Sequence, residues 1–342
     1  MSLDWAACRA QLEAGRDCAL ITLLTQDGSA PRGPGAKMLI TLDGVFGTVG
    51  GGALETRAIE VGRQVIADGR SRLLHLRLTE GEIDSVDMAC GGSVTLLVEA
   101  VSALEEQNRN HFRRLEAYRA GSVASTCLTA LESRPDRLEV GRAVMIGDGT
   151  VKGELPSWAL SAAPLSPGES YCLRTMGVNR LLLLETVCPP LHLYICGGGH
   201  VGLKTAELAT FWGQRVTVMD DRIEFAAPER FPGAQVLCCP GYEALFCECE
   251  LGRSDCVVIV TRGHRYDKKV LEQVLYTDAG YIGMIGSRSK VEKTMKELSE
   301  AGWAKQDLSR VHAPIGLDIG AETPAEIAVS IISQIIQEMR NR

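Results

Sequence analysis

The stretch Leu191 to Asp221, LHLYICGGGHVGLKTAELATFWGQRVTVMDD, constrains the fold of this chain more than any other. A short apolar run from Leu191 to Ile195 leads into Gly197, Gly199 and Gly202. Helical spacing of apolar residues follows from Leu203 to Trp212. The order predicts a strand, a glycine turn and a helix. Gly197 allows the tight turn, Gly199 lets a pyrophosphate approach the backbone, and Gly202 lets the helix lie close on the strand. A second strand, Arg215 to Met219, delivers Asp220 where a carboxylate could accept hydrogen bonds from a ribose diol. A GxGxxG string alone is weak, but here it follows a strand, opens a helix and has its Asp about 20 residues on. The competing reading is a Rossmann-type layer that is vestigial or holds another phosphate-bearing ligand.

At 342 residues the chain is long enough for two or three domains, and 45% hydrophobic with 23% charged residues suits a globular protein with a full core. The net charge of −7 comes without a clustered basic stretch, which argues against nucleic acid and against an anionic membrane as partners. The N-terminus lacks a cationic leader before an apolar core, and no run approaches 18 apolar residues, so a cytoplasmic protein without a membrane span is expected. In that compartment the twelve cysteines are expected to be reduced thiols. The tightest cluster, Cys238, Cys239, Cys247 and Cys249, has no CxxC pair, and Cys247 and Cys249 lie two apart in what reads as a helix. No metal site is expected there.

In the first half, a helix from Asp4 to Gly15 precedes a strand from Cys18 to Thr25. The Gly- and Pro-rich loop Gly28 to Gly35 leads to a strand from Ala36 to Leu42, and Asp43-Gly44 turns into Val45 to Val49. Gly50, Gly51 and Gly52 stand directly before a helix from Ala53 to Asp68. Free amides at such a start favour an anion, while a close backbone contact explains the glycines equally well. Cys90 precedes two glycines in a loop. An accessible thiol with amide donors nearby would shift toward thiolate, against the alternative of a small buried hydrophobe.

The second half of this region echoes the first. Ala124 to Ala130 aligns with Ala19 to Thr25, and Arg142 to Gly149 with Lys37 to Gly44, both at an offset of 105; Gly177 to Glu185 aligns with Gly91 to Glu99. Residues 18–100 and 123–187 therefore read as a degenerate repeat of one β-rich unit, the second copy lacking the triple glycine and its helix. After Cys188-Pro189-Pro190, Cys256 to Thr261 is a buried parallel strand ending in Gly263 and His264, and Tyr281 to Ile285 ends in Ser287 and Arg288. Thr323-Pro324-Ala325-Glu326 is a capping box opening the last helix. The fold class is thus α/β, with a C-terminal Rossmann-like doubly wound parallel sheet over 189–342 and an N-terminal α+β domain rich in β-hairpins over 1–188.

With these residues assembled, the sequence resembles the XdhC/CoxI family of accessory factors for xanthine dehydrogenase and related molybdenum hydroxylases. The resemblance is carried by GSAPRGPGAKMLI, GTVGGGALE, MACGG, CGGGHVG, VTRGHRYD, GMIGSRSK and PIGLDIGAETPAEIAVSI, in that order over most of the chain. It implies a maturation factor rather than a catalyst, which binds molybdenum cofactor, protects it during sulfuration and passes it to an apo molybdenum hydroxylase. A cysteine desulfurase and a second copy of the chain are further expected partners. Under this reading Gly197, Gly199, Gly202, Ser287 and Arg288 seat the anionic end of the molybdopterin. Cys90 and Gly50, Gly51 and Gly52 face its metal end. His200, Asp220, Gly263 and His264 complete the binding residues, with His200 equally explained as part of the helix start. Arg32 and Lys37 either add positive charge to the binding site or, on the simpler account, are cations of a solvated loop. The rival reading is an NAD-dependent oxidoreductase with His264 or Cys90 as acid or base; a nucleotide-sensing scaffold is the third.

Overall fold

A computed structural model of the chain describes residues 5–28, 32–78, 92–120, 125–161, 165, 169–187, 189–246 and 250–340. The chain divides into two compact units, Met1–Pro189 and Pro190–Arg342.

The first unit runs α1 (Trp5–Glu13), β1 (Cys18–Gly28), β2 (Lys37–Ile40), β3 (Val45–Gly47), α2 (Gly52–Asp68), β4 (Arg72–Leu78) and β5 (Gly92–Val101). It continues with α3 (Glu106–Ala120), β6 (Ser125–Ser133), β7 (Leu138–Ile146), β8 (Val151–Glu154), α4 (Ser157–Leu160), β9 (Tyr171–Thr175) and β10 (Arg180–Val187). Among the described residues the strands form two antiparallel five-stranded sheets, ordered β3-β2-β1-β5-β4 and β8-β7-β6-β10-β9. Position by position these are the same order and the same connectivity, each led by a helix. Where the sequence suggests that the second copy has no helix, Ser157–Leu160 forms a four-residue one. The register also differs slightly. Ala19 pairs with Ile40, whereas Met145, aligned with Ile40, pairs with Thr126, two residues beyond Ala124. A two-residue slip keeps every side chain on its face of the sheet.

Cys18 to Leu24 are buried without interruption because both faces of β1 are covered. Ala19, Ile21 and Leu23 pack with Leu54, Ala58, Val61 and Val65 of α2. Cys18 and Leu20 face a layer shared with Cys127, Val144 and Val187 of the second sheet, and Leu24 meets Leu131 and Leu183. This is the period-two alternation of a strand, with apolar partners on both sides.

Two ion pairs cross between the sheets. Lys37 Nζ lies 2.8 Å from Glu185 Oε2 and donates to Thr22 Oγ1 at 2.9 Å. Arg142 Nη2 lies 2.8 Å from Glu99 Oε1, while its Nη1 donates to Asn108 Oδ1 at 2.7 Å. The pairs are reciprocal: Lys37 and Arg142 are aligned residues of β2 and β7, and Glu185 and Glu99 are aligned residues of β10 and β5. Arg9 with Glu116 and Arg113 with Glu13 repeat the exchange between α1 and α3, at 2.6 and 3.0 Å. Lys37 is therefore not a solvated loop cation. Its side chain is 10% exposed, because β2 carries it inward to the carboxylate of the other sheet.

His111 of α3 is buried beside the same charges. Burial first, then the positive charges of Arg142, Arg114 and Lys37, push its pKa from 6.5 down to about 3. Between those values the unfolded chain binds a proton that the folded chain refuses, so stability falls as pH falls through this window. Replacing His111 by Phe is expected to flatten the acid limb of stability against pH between about 6.5 and 3, by at most about 1.4 kcal/mol per pH unit. Urea midpoints measured across that range test it, and an unchanged slope refutes it.

The second unit runs β11 (His192–Cys196), α5 (His200–Phe211), β12 (Arg215–Asp220), β13 (Gln235–Cys238), β14 (Asp255–Ile259), α6 (His264–Val274), β15 (Tyr281–Met284), α7 (Arg288–Glu300), α8 (Lys305–Leu308), β16 (Val311–His312) and α9 (Pro324–Arg340). Its strands form a parallel sheet ordered β13-β12-β11-β14-β15-β16. Leu193, Ile195, Val216, Val218 and Val258 face α5 and α9, while Tyr194, Cys196, Met219, Val257 and Ile259 face α6 and α7. This doubly covered layer is the Rossmann-like arrangement that the sequence predicts. The capping box holds as read: Glu326 accepts from the amides of Glu322 and Thr323, and its own amide donates to Thr323 Oγ1. No helix among the described residues is long and apolar enough to cross a membrane.

Candidate functional site

From β11 the chain continues to β12 on one side, while β14, the neighbour of β11 on the other side, continues to β15. Connections diverging from two adjacent parallel strands leave a crevice at their carboxyl ends, where ligands of open α/β sheets bind. Into this edge the fold brings Gly197, Gly199, His200 and Gly202 at the start of α5, Gly263 and His264 at the start of α6, and Ser287 and Arg288 at the start of α7.

The glycine turn is built by close approach. A Cβ at Gly202 would stand 1.8 Å from the Gly197 carbonyl oxygen, and one at Gly197, whose φ is +123°, would stand 2.3 Å from that of Val260. The position of a Cβ at Gly199 is open, with nothing within 4 Å. Gly199 is thus not required by close packing, and its backbone is open to approach. Helices α5 and α6 start without a side-chain cap, which leaves first-turn amides for an anion. In α7 the Ser287 hydroxyl accepts from the Lys290 amide instead.

The α6 and α7 starts are tied together by groups that the sequence reading passed over. Asp267, fully buried, accepts from Thr261 Oγ1 at 2.6 Å and is ion-paired with Lys290. Lys290 also donates to the Ile285 carbonyl at 3.4 Å. A sequence signal existed, since Asp267 and Lys290 each follow a buried strand by a few residues.

Asp220 has a different role from the one its position in the motif suggests. It is completely buried. Its Oδ2 accepts from the Gly198 amide at 2.8 Å and from Arg222 Nη2 at 3.1 Å, and its Oδ1 accepts from the Arg222 amide and Nε at 3.0 and 2.9 Å. Burial would raise its pKa, but the Arg222 side chain and the Gly198 and Arg222 amides outweigh that and hold it below the usual carboxylate range. Asp220 therefore braces the glycine turn, and a ribose diol would have to displace Arg222 to reach it. The Arg222 guanidinium in turn lies 3.5 Å over the Phe225 ring. The Phe225 carbonyl would stand 2.5 Å from a Cβ at Gly198, so the segment after β12 lies against the turn.

The Gly50 to Gly52 turn carries a similar correction. The amides of Val49 and Gly50 donate to Glu55 Oε1 at 3.1 and 3.3 Å, and the Thr48 hydroxyl bonds the same oxygen. Burial acts to raise the Glu55 pKa, but these bonds and the Gly51 amide hold it low. The anion at this helix start is the chain's own Glu55.

Cys90, Cys247 and Cys249 lie outside the described residues, as does the His264 side chain. Among the described thiols, Cys8, Cys18, Cys127, Cys196 and Cys256 are buried. Burial, and then the charge of Glu185, pushes Cys127 up to about 12, so it behaves as a small hydrophobe. The described residues contain no group of three or more His, Cys, Asp or Glu placed to hold a metal.

Comparison with known proteins fits this architecture. The family model for the XdhC Rossmann domain matches residues 193–335, and that for the XdhC and CoxI family matches residues 11–77. A Bacillus subtilis protein named as a probable subunit of xanthine dehydrogenase is 25% identical over 96% of this chain and 95% of its own length. The molybdenum cofactor insertion chaperone PaoD of Escherichia coli is 22% identical over 95% of this chain and 84% of its own. The Escherichia coli protein YqeB is 25% identical over 94% of this chain, which spans only 44% of that relative's length. A crystal structure described as a xanthine dehydrogenase from Bacillus halodurans shares the fold, with a TM-score of 0.81, 22% identity and coverage of 100% of this chain and 97% of that one. A Rossmann unit and a CoxI-type unit, matched separately and in the same chain, place this protein in the XdhC/CoxI family.

Proposed function

We propose that the chain is an accessory factor that binds molybdenum cofactor, holds it while a sulfur ligand is installed and delivers it to an apo molybdenum hydroxylase of the xanthine dehydrogenase type. The observation that carries this reading is the carboxyl edge of the second unit. There an open Gly199 and two uncapped helix starts offer amides to an anion, and a molybdopterin presents a phosphate or a nucleotide diphosphate. The names of two relatives support it, one a molybdenum cofactor insertion chaperone and the other a probable part of a xanthine dehydrogenase. Gly197, Gly199, Gly202, Ser287 and Arg288 seat the anionic end, with His200, Gly263 and His264 beside it. Cys90, set before Gly91 and Gly92 in the sequence, handles the sulfur to be installed, with a cysteine desulfurase as donor. The setting is cytoplasmic and the working form a homodimer.

Protein purified anaerobically from a molybdenum-replete host is expected to release a fluorescent pterin on acid treatment, near one equivalent per chain, and to activate an apo-hydroxylase. Cys90→Ser is expected to retain the pterin and a normal melting temperature while losing most of the delivery of sulfurated cofactor. Protein free of pterin and unable to activate the hydroxylase would overturn the reading. The second reading, an NAD-dependent oxidoreductase, would have to recruit Asp220 away from Arg222 and the Gly198 amide, and NADH titration with a panel of carbonyl compounds tests it.

A further inference from the structure

Two thiols of the first unit stand in contact beneath α1. Cys8 Sγ and Cys18 Sγ lie 3.9 Å apart, and both side chains are fully buried. That separation exceeds the length of a disulfide bond by only about 2 Å. The local structure explains the meeting. Cys8 lies between Trp5 and Leu12 on the face that α1 buries, and Cys18 opens β1. Strand alternation turns Cys18, like Leu20, to the layer between the two sheets, where the α1 face also packs. The chain reverses after α1, with the Arg16 amide donating to the Gln11 carbonyl at 3.0 Å, so only ten positions separate the two cysteines. The hydrogen bond with Cys18, and then burial, hold the Cys8 pKa well above the ordinary thiol value, so Cys8 stays a thiol while α1 is packed. Cys127 of the same layer meets His111 Nε2 at 3.9 Å instead.

We propose that Cys8 and Cys18 are a redox clasp, which closes to a disulfide and fastens α1 to β1 when a low-molecular-weight disulfide becomes abundant around the chain. The chemistry is two exchanges. The thiolate of one cysteine attacks the small disulfide, forming a mixed disulfide and releasing one small thiolate; the thiolate of the other then attacks the chain's sulfur in that bond and releases the second. Two electrons pass from the cysteines to the small disulfide, and their two protons end on the small thiols released. Access comes from α1 itself. It is a helix of nine residues, with no acidic residue in its first turn and no basic residue in its last, and the ion pairs that tie it to α3 are partly exposed to solvent. Local opening of so short an element uncovers both sulfurs. The clasp thereby couples the thiol balance of the surroundings to how firmly α1 covers the layer between the sheets, as transient disulfides in reducing compartments do when they serve as sensors. It uses none of the residues assigned to the cargo, so it stands or falls independently of the proposed function.

The test incubates the full chain with glutathione disulfide or with dithiothreitol, then alkylates, digests and maps its cysteines by mass spectrometry. The expected result is a Cys8–Cys18 linkage in the oxidised sample that dithiothreitol removes, with Cys127 left as a thiol. Joining positions so close in the chain should raise the melting temperature by about 5 °C or more and slow amide hydrogen exchange in α1 about tenfold or more. Cys8→Ala should show neither change between the two samples. Absence of the linkage from the oxidised parent chain, or glutathione left on either cysteine without closure, overturns the proposal without recourse to any variant. A linkage that forms without raising the melting temperature and slowing exchange in α1 also overturns it, because the bond would then not fasten the helix. An equal rise in the melting temperature of oxidised Cys8→Ala overturns it as well, by placing the effect at other thiols.

Discussion

Replacing Gly202 by Ala is expected to destabilise the second unit by about 3 kcal/mol or more, seen as a fall of roughly 10 °C in its melting temperature or as a chain that does not fold. The added methyl would stand 1.8 Å from the Gly197 carbonyl oxygen. No rotamer relieves this, because both partners are backbone, so α5 must lift off β11. That movement strips Ala206 and Ala209 from their contacts with Ile195 and Val218. Gly197→Ala should do the same by a different route, with a φ of +123° that a side chain resists and a Cβ 2.3 Å from the Val260 oxygen. Gly199→Ala is the control: its φ is −68° and its Cβ would meet nothing within 4 Å, so stability should stay within about 0.5 kcal/mol while binding of a pyrophosphate-bearing ligand is lost. Thermal melts of the three variants decide the matter. A Gly202→Ala chain that melts like the parent would show that the turn is not built by contact.

The second large effect is expected in the first unit. Glu99→Ala removes the carboxylate, only 3% exposed, that Arg142 reaches across from β7, and leaves a guanidinium that is itself 10% exposed. Stranding a buried charge costs about 3–5 kcal/mol, whereas replacing both partners by apolar groups of similar size is often close to neutral. The double variant Glu99→Leu with Arg142→Met should therefore recover most of what Glu99→Ala loses. Chemical denaturation of both is the measurement. A loss under about 1 kcal/mol in the single variant, or no recovery in the double, would show that water enters the space and screens the charge.

Much of the architecture was legible in the chain. The strand, glycine turn and helix at Leu191 to Trp212 form as read, although α5 begins at His200, three residues before its apolar periodicity starts. The Asp43-Gly44 hairpin and the Thr323 cap were readable because turn and cap chemistry is local. The offset of 105 between the halves of the first unit is matched by two sheets of one order and one direction, with the slip of two residues at β6 and β7 that an ungapped alignment could not show. What escaped were the partners. Lys37 was read beside a polar loop, and its carboxylate lies on the last strand of the other sheet.

The sequence by itself determined where strands, turns and helices lie and which glycines the turn beside α5 requires, because period, capping and backbone freedom are properties of neighbours along the chain. Only the tertiary structure decided which charged groups are still available. Glu55 fills the triple-glycine turn, Arg222 and the Gly198 amide take up Asp220, and Asp221 keeps an unsatisfied oxygen. The physical reason is that a carboxylate bonds whichever donors surround it in three dimensions. Its position in a motif specifies the strand end it occupies and leaves open the face it is turned to.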